Sequence, residues 1–255
     1  MADTKRLGRQ TPTQSVILPY DKTYGEEAIK LYEKSKRKAQ DWQKLLIYDL
    51  LSYDDEELWV HSKFGYAVPR RNGKNEVVTI REIYGLSKGE HILHTAHRTP
   101  TSSSAFSRLY DIMAKAGYKE KEDFIVTRQY GLEKIEMIEG GGLASFRTRT
   151  SKGGLGEGYD LLIIDEAQEY QNDQETTLKY VVSSSPNPQT IFCGTPPTMV
   201  SSGTVFTHMR ENTLAGKTSN TGWAEWSVES MTDVNDIEAW YETNPSLGTI
   251  LTERK

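Results

Sequence analysis

The chain has 255 residues, a formal net charge of −5 at neutral pH and a single cysteine, Cys193. This length can bury a substantial core without staples; one cysteine excludes an internal disulfide and fits a reducing compartment; and the negative balance excludes a uniformly basic nucleic-acid coat while allowing a local basic face. No apolar run approaches the ~20 residues that span a bilayer, and the start, M-A-D-T-K-R-L-G-R-Q, lacks the apolar core of a signal peptide, so a soluble, non-secreted protein is expected.

Met1 to Pro19 mix Thr, Gln, Pro and basic residues without a period, which predicts a loosely held arm over residues 1–20 and a folded unit over 21–255. From Glu26 to Leu51, Ala28, Leu31 and Tyr32 and then Trp42, Leu45, Leu46, Tyr48 and Leu50 recur at helical spacing, predicting two helices or one broken helix. Phe64 to Pro69 reads as a strand, and Asn75 to Leu86 as a helix ended by Gly85 or Gly89. His91 to Ala96 reads as a second strand, and Pro100 opens a helix that Gly117 closes. The segments Phe124 to Thr127, Leu132 to Ile138 and Leu143 to Arg147, split by glycines, predict an antiparallel insertion at one sheet edge.

Next comes Y-D-L-L-I-I-D-E-A-Q-E-Y, Tyr159 to Tyr170, in which Leu161 to Ile164 form the continuous apolar run of a strand buried on both faces. A helix to about Val182 is expected to follow, then a strand over Gln189 to Cys193 running into G-T-P-P-T. Beyond Met199 the pattern predicts helix, strand and helix, with Trp223 and Trp226 packing and Ile237 to Tyr241 helical. The alternation defines an α/β fold: a mostly parallel central sheet flanked by helices, with an antiparallel edge extension.

Chemistry concentrates where strands end. Asp165 and Glu166 tip the apolar strand, placing negative charge at the carboxyl edge where open α/β sheets bind ligands. The stretch V-P-R-R-N-G-K-N-E, Val68 to Glu76, reads as a degenerate phosphate-binding loop. Gly73 and Lys74 occupy the Gly-Lys step, Val68 replaces the first glycine, and Asn75 replaces the usual hydroxyl with an amide oxygen of the hard type that Mg²⁺ accepts. In that geometry Asp165 holds Mg²⁺ and Glu166 polarises the water that attacks a γ-phosphate, while Arg70 and Arg71 reach charge developing on the phosphoryl group. His94 faces away from His91 and His97 on an alternating strand, which argues against a histidine metal site.

Taken in order, P-R-R-N-G-K-N-E, H-T-A-H-R-T-P-T-S-S-S-A-F, L-L-I-I-D-E-A-Q, F-C-G-T-P-P-T and Y-E-T-N-P-S-L-G resemble the large terminase subunit of tailed bacteriophages, from about Trp42 to Gly248. The resemblance implies a P-loop NTPase of the additional-strand, catalytic-glutamate type. Such a domain uses ATP and Mg²⁺ to drive double-stranded DNA into a procapsid, as a pentameric ring on the portal protein served by a small terminase subunit, in the cytoplasm of the infected host. It implies Lys74 as the phosphate lysine within a nucleotide-binding loop of Arg71, Asn72, Gly73 and Asn75. Asp165 becomes the metal-side acid and Glu166 the catalytic glutamate. Arg70 becomes the γ-phosphate arginine, Gln43 the adenine-side glutamine, and Gly194 and Thr195 part of a coupling motif. An arginine acting in trans on a neighbouring subunit is expected shortly before the acid-tipped strand, with Arg147, Arg149 and Lys152 as candidates. The nuclease half of that family is expected to be absent, leaving an ATPase domain without nuclease activity. The alternative is a non-catalytic nucleotide-binding module that docks on portal or small terminase.

Overall fold

The apolar runs become strands covered on both faces. The structure, a computed structural model, describes residues 6–149, 158–198, 201–228 and 232–253. Its elements in chain order are β1 (Gln14–Val16), β2 (Lys22–Thr23), α1 (Gly25–Glu33), α2 (Asp41–Leu50), β3 (Ser52–Tyr53), β4 (Lys63–Ala67), α3 (Lys74–Ser87), β5 (His91–Ala96) and α4 (Thr99–Lys115). There follow β6 (Phe124–Thr127), β7 (Lys134–Met137), β8 (Leu143–Thr148), β9 (Leu161–Asp165), α5 (Asn172–Leu178), β10 (Gln189–Gly194), α6 (Val205–Leu214), β11 (Thr221–Glu225) and α7 (Ile237–Thr243).

A nine-stranded sheet has the order β1-β11-β4-β10-β9-β5-β8-β7-β6. The strands from β11 through β8 run parallel. The decisive feature is β10, which is inserted between β4 and β9 although it follows both in sequence: Cys193 pairs with Asp165 on one side, and Gly194 with Ala67 on the other. The carboxyl ends of β4, β9 and β10 therefore lie side by side. Along β9, Leu161 and Ile163 enter the core under α1 to α4, whereas Leu162 and Ile164 enter a second core with Phe192, Phe206 and Trp223. Strict two-residue alternation with both faces apolar is what a central parallel strand requires.

Three expectations change. The insertion is antiparallel only through β6 and β7, while β8 pairs parallel with β5, His91 opposite Leu143. Each hairpin reverses the chain, so β8 returns to the direction of β5, and side-chain alternation carries no record of direction. The lead-in is fastened rather than loose: β1 pairs antiparallel with β11, and the Gly8 and Arg9 N–H groups donate to Leu247 O and Tyr241 O at 2.8 Å each. The long helix after β9 is replaced by a 3-10 turn, Ala167–Glu169, and the seven-residue α5. Glu166 at φ 52° and ψ 50° leaves the right-handed helical path, so no helix can run through it.

At the amino end of the sheet a buried arginine sets the seat of α3. Arg81 has no exposure and donates through Nη1 and Nη2 to Glu90 at 2.6 and 2.9 Å and through Nε to Gln189 Oε1 at 2.9 Å. Truncating the fully buried Arg81 leaves the partly buried Glu90 carboxylate and the buried Gln189 amide without their partner, so Arg81→Ala is expected to lower the unfolding free energy by about 2 kcal/mol in urea titration. A change below about 1 kcal/mol would place this pair with exposed ones.

Candidate active site

The loop between β4 and α3 turns through Gly73, which lies at φ 86° as the N-cap of α3, a conformation that a Cβ disfavours. Arg71 before it is also left-handed, at φ 67°. The first N–H groups of α3, which no helix can satisfy internally, are thereby left at the carboxyl edge of the sheet, suited to an anion. The loop is held from below by Asn72, which is fully buried: Nδ2 donates to Pro69 O at 3.1 Å and Asn244 Oδ1 at 2.9 Å, and Oδ1 accepts from the Ser246 N–H at 2.9 Å. Ser246 Oγ donates to Asn72 O at 2.7 Å, so the N-P-S segment from the end of the chain cradles the loop.

Beyond the loop, Lys74 Nζ donates to Asn75 Oδ1 at 3.1 Å and Asn75 Nδ2 donates to Asp165 Oδ2 at 2.9 Å, a continuous line of ammonium, amide and carboxylate. Asp165 is fully buried and also accepts from the Glu166 N–H at 2.8 Å. Burial alone would raise its pKa, but His94, Lys74 and the Glu166 N–H outweigh that and hold it well below the usual carboxylate range. Glu166 turns away from the strand, and its carboxylate makes no hydrogen bond or ion pair with any described residue. An anionic acid tied to the loop beside a second acid with open valences is the arrangement that a metal-bound phosphate and an attacking water need.

The donor set also fits Mg²⁺. That ion keeps most of its waters and takes one or two carboxylates together with phosphate oxygens. Asp165 and the amide oxygen of Asn75 would supply the protein side, and a permanent all-protein cage is not required.

The remaining expected residues separate into groups. Arg70 and Arg71 are exposed at the mouth of the loop, and their guanidinium groups have no hydrogen-bond or ion-pair partner among the described residues. Gln43 is buried under the loop with both ends of its amide engaged: Nε2 donates to Gly73 O at 3.1 Å and Oε1 accepts from the Gln40 N–H at 2.9 Å. It touches the loop itself. Arg149, expected to be offered to a neighbouring subunit, is turned inward: at 5% exposure it donates to Asp165 O at 2.6 Å and to Thr95 O and Glu166 O at 3.2 Å each. Burial pushes its pKa down to about 10. Main-chain carbonyls are strong acceptors, and they capture a guanidinium that would otherwise reach solvent. Arg147 likewise donates to Glu133 O at 3.0 Å and Phe146 O at 2.7 Å within its own domain. Lys152 lies outside the described residues.

Gly194 and Thr195 are linked to the acid pair by a residue that sequence reasoning passed over. Gln168 Oε1 accepts from the Thr195 N–H at 3.1 Å, and a Cβ on Gly194 would lie 2.7 Å from the Phe206 ring and 3.1 Å from the same Gln168 oxygen. Its place in D-E-A-Q was the available signal. A cleft of about 260 Å³ opens beside Asn75 between α3 and α4, lined by Pro100, Thr101, Ser104 and Arg108.

The strand order, with β10 inserted between the loop strand and the acid-tipped strand, gives an α/β fold with a mostly parallel sheet flanked by helices and the acid pair at the shared edge. Among solved structures the fold is that of phage large terminases. The large terminase of bacteriophage HK97 superposes with a TM-score of 0.75 at 17% identity over 91% of this chain and 50% of that one. The ATPase domain of the large terminase of Thermus phage P74-26 superposes with a TM-score of 0.51 at 15% identity, covering 71% of this chain and 72% of that one. The large terminase of a further thermophilic bacteriophage gives a TM-score of 0.50 at 12% identity, covering 81% and 45%. This chain thus spans half the length of the HK97 protein. No protein-family profile matches the sequence, and no curated protein does.

Because Asn72 satisfies the buried Ser246 N–H, Asn72→Ala is expected to lower stability by about 2 kcal/mol and to loosen the loop. Chemical denaturation and a nucleotide titration check this together, and unchanged values in both would show that the cradle is dispensable.

Proposed function

We propose that this chain is the ATP-hydrolysing motor domain of a viral DNA-packaging terminase, coupling hydrolysis to translocation of double-stranded DNA into a procapsid. One observation carries the reading: Lys74, Asn75 and Asp165 form an unbroken hydrogen-bonded line, with Glu166 next to it, at the edge where β10 separates the loop strand from the acid strand. The ordered sequence blocks and the shared fold supply the packaging context.

In this reading the N–H groups at the start of α3 and Lys74 bind the β- and γ-phosphates of ATP, with Arg70 and Arg71 at the mouth for the γ-phosphoryl charge. Asp165 and Asn75 would hold Mg²⁺, which would supply positive charge to stabilise the phosphate oxygens. Glu166 orients a water in line with the γ-phosphorus and takes its proton as attack proceeds. Gln168 is two residues beyond Glu166, so a shift at Glu166 reaches the Thr195 N–H through two peptide units and one side chain. Gly194 and Thr195 then pass it to the segment leading into α6. Double-stranded DNA, a portal protein and a small terminase subunit are the partners, and a ring of copies on the portal in the host cytoplasm is the working assembly. In the described structure both candidate arginines are bound within their own domain, so a lone subunit is expected to turn over slowly.

Phosphate release from ATP with Mg²⁺, measured over a range of protein concentrations, tests the reading. Lys74→Ala and Glu166→Ala are each expected to reduce turnover ~10²-fold or more, and the rate per subunit is expected to rise with concentration as copies associate. Nucleotide binding without turnover at any concentration, with or without double-stranded DNA, would instead favour the docking module.

A further inference from the structure

Two side-chain nitrogens from different elements face one oxygen of Asp165. Asn75 Nδ2, from the first turn of α3, donates to Oδ2 at 2.9 Å. His94 Nε2, from β5, lies 3.8 Å from the same oxygen, just beyond hydrogen-bond reach. This ring nitrogen is buried and has no hydrogen-bond partner among the described residues. The opposite nitrogen is fixed, since Nδ1 lies 2.6 Å from Oε1 of Glu82, a carboxylate 1% exposed on α3. The Phe146 ring, 5.4 Å away between centroids, packs on the imidazole and limits its rotation. A buried polar group left without a partner is unfavourable, and here that group is aimed at Asp165.

Asn75 cannot serve the acid and a metal in the same orientation. Its amide nitrogen faces Asp165, and its oxygen faces Lys74 Nζ at 3.1 Å. A divalent cation beside Asp165 attracts the amide oxygen and repels the NH₂ group, so the amide must turn for Oδ1 to become a ligand. Oδ2 then loses its closest donor. We propose that His94, anchored from below by Glu82, is a positioning residue that keeps Asp165 aimed at the metal while Asn75 serves as a ligand. The inference rests on the nucleotide-site reading above. In that role Nε2 carries a hydrogen and faces Asp165 Oδ2, a carboxylate oxygen that can only accept. The relay also ties α3 to β9 at a second level: Asn75 joins them at the top of the helix, and Glu82 joins them through His94 two turns lower.

The shapes of the amide side chains separate this role from a purely structural one. His94→Gln places an amide near the Nε2 position and retains a donor toward Asp165, whereas His94→Asn places one near Nδ1 and retains only the link to Glu82. The full chain and both variants are titrated with ATPγS in Mg²⁺ and again in EDTA. Wild type is expected to bind more tightly in Mg²⁺. His94→Asn is expected to lose about 10–100-fold of that gain, the usual effect of removing a group that orients a metal ligand, with binding in EDTA unchanged; His94→Gln is expected to keep most of it. A wild-type Mg²⁺ gain in His94→Asn, or equal losses in both variants with and without Mg²⁺, overturns the assignment while leaving the nucleotide site intact. Absence of any Mg²⁺ gain in wild type removes the nucleotide-site reading itself and this inference with it.

Discussion

A carboxylate shut away from water must be kept anionic by its neighbours, and Asp165 is that group. Its desolvation would amount to several kcal/mol if uncompensated. Compensation comes from the Asn75 amide on α3, from the N–H of the next residue, and from the charges of Lys74 and His94. These groups lie on separate elements, so the seat of α3, the register of β5 against β9 and the path of the chain after β9 are all specified at one point. The left-handed turn at Glu166 follows from the same demand: it brings the Glu166 N–H to Asp165 Oδ1 and directs the second carboxylate away from the strand. Arg149 completes the arrangement by binding the carbonyls of both acids, which offsets the strain of a left-handed glutamate.

The inserted strand supplies the second half of the design. Because β10 lies between β4 and β9, its last residues emerge between the loop that follows β4 and the acid pair. The Val68 N–H donates to Gly194 O at 3.1 Å, and the Thr195 N–H donates to Gln168 at the same distance. The segment after β10 is therefore bonded on one side to the end of the loop strand and on the other to the turn after the acids. The turn after the acids is bonded as well to the residues just before α6, since the Gly203 N–H donates to Gln168 O at 3.0 Å.

The loop, for its part, depends on residues far away in the chain. Asn72 is bound by Asn244 and Ser246, Gly73 O by Gln43, and Ser246 Oγ accepts from Trp42 Nε1 at 3.2 Å. The lead-in strand β1 and the hydrogen bonds from Gly8 and Arg9 hold that C-terminal segment against the sheet. A degenerate loop sequence can keep one shape because three remote stretches fasten it, where a glycine-rich loop would rely on its own turns.

Much of this was legible in the linear pattern. An apolar run without alternation, L-L-I-I, fits a strand covered on both faces, and acids directly after it fall at the sheet's edge; a Gly-Lys step between a strand and a helical period, with the acid-tipped strand downstream, reads as a phosphate loop. Lys74, Asn75, Asp165 and Glu166 were singled out by such local rules, and the fold brings them to one edge of the sheet. Contacts between remote residues leave no such trace. Alternation placed His94 on the face opposite His91 and His97 but could not say that Glu82 and Asp165 would meet it there. Arg149 has the look of a surface cation because its partners are main-chain carbonyls, which every residue possesses and no side-chain pattern reveals. The parallel direction of β8, the insertion of β10, and the pinning of Asn72 by Ser246 were decided by which segments could share one sheet and fill one core, a competition among non-local packings that only the folded chain resolves.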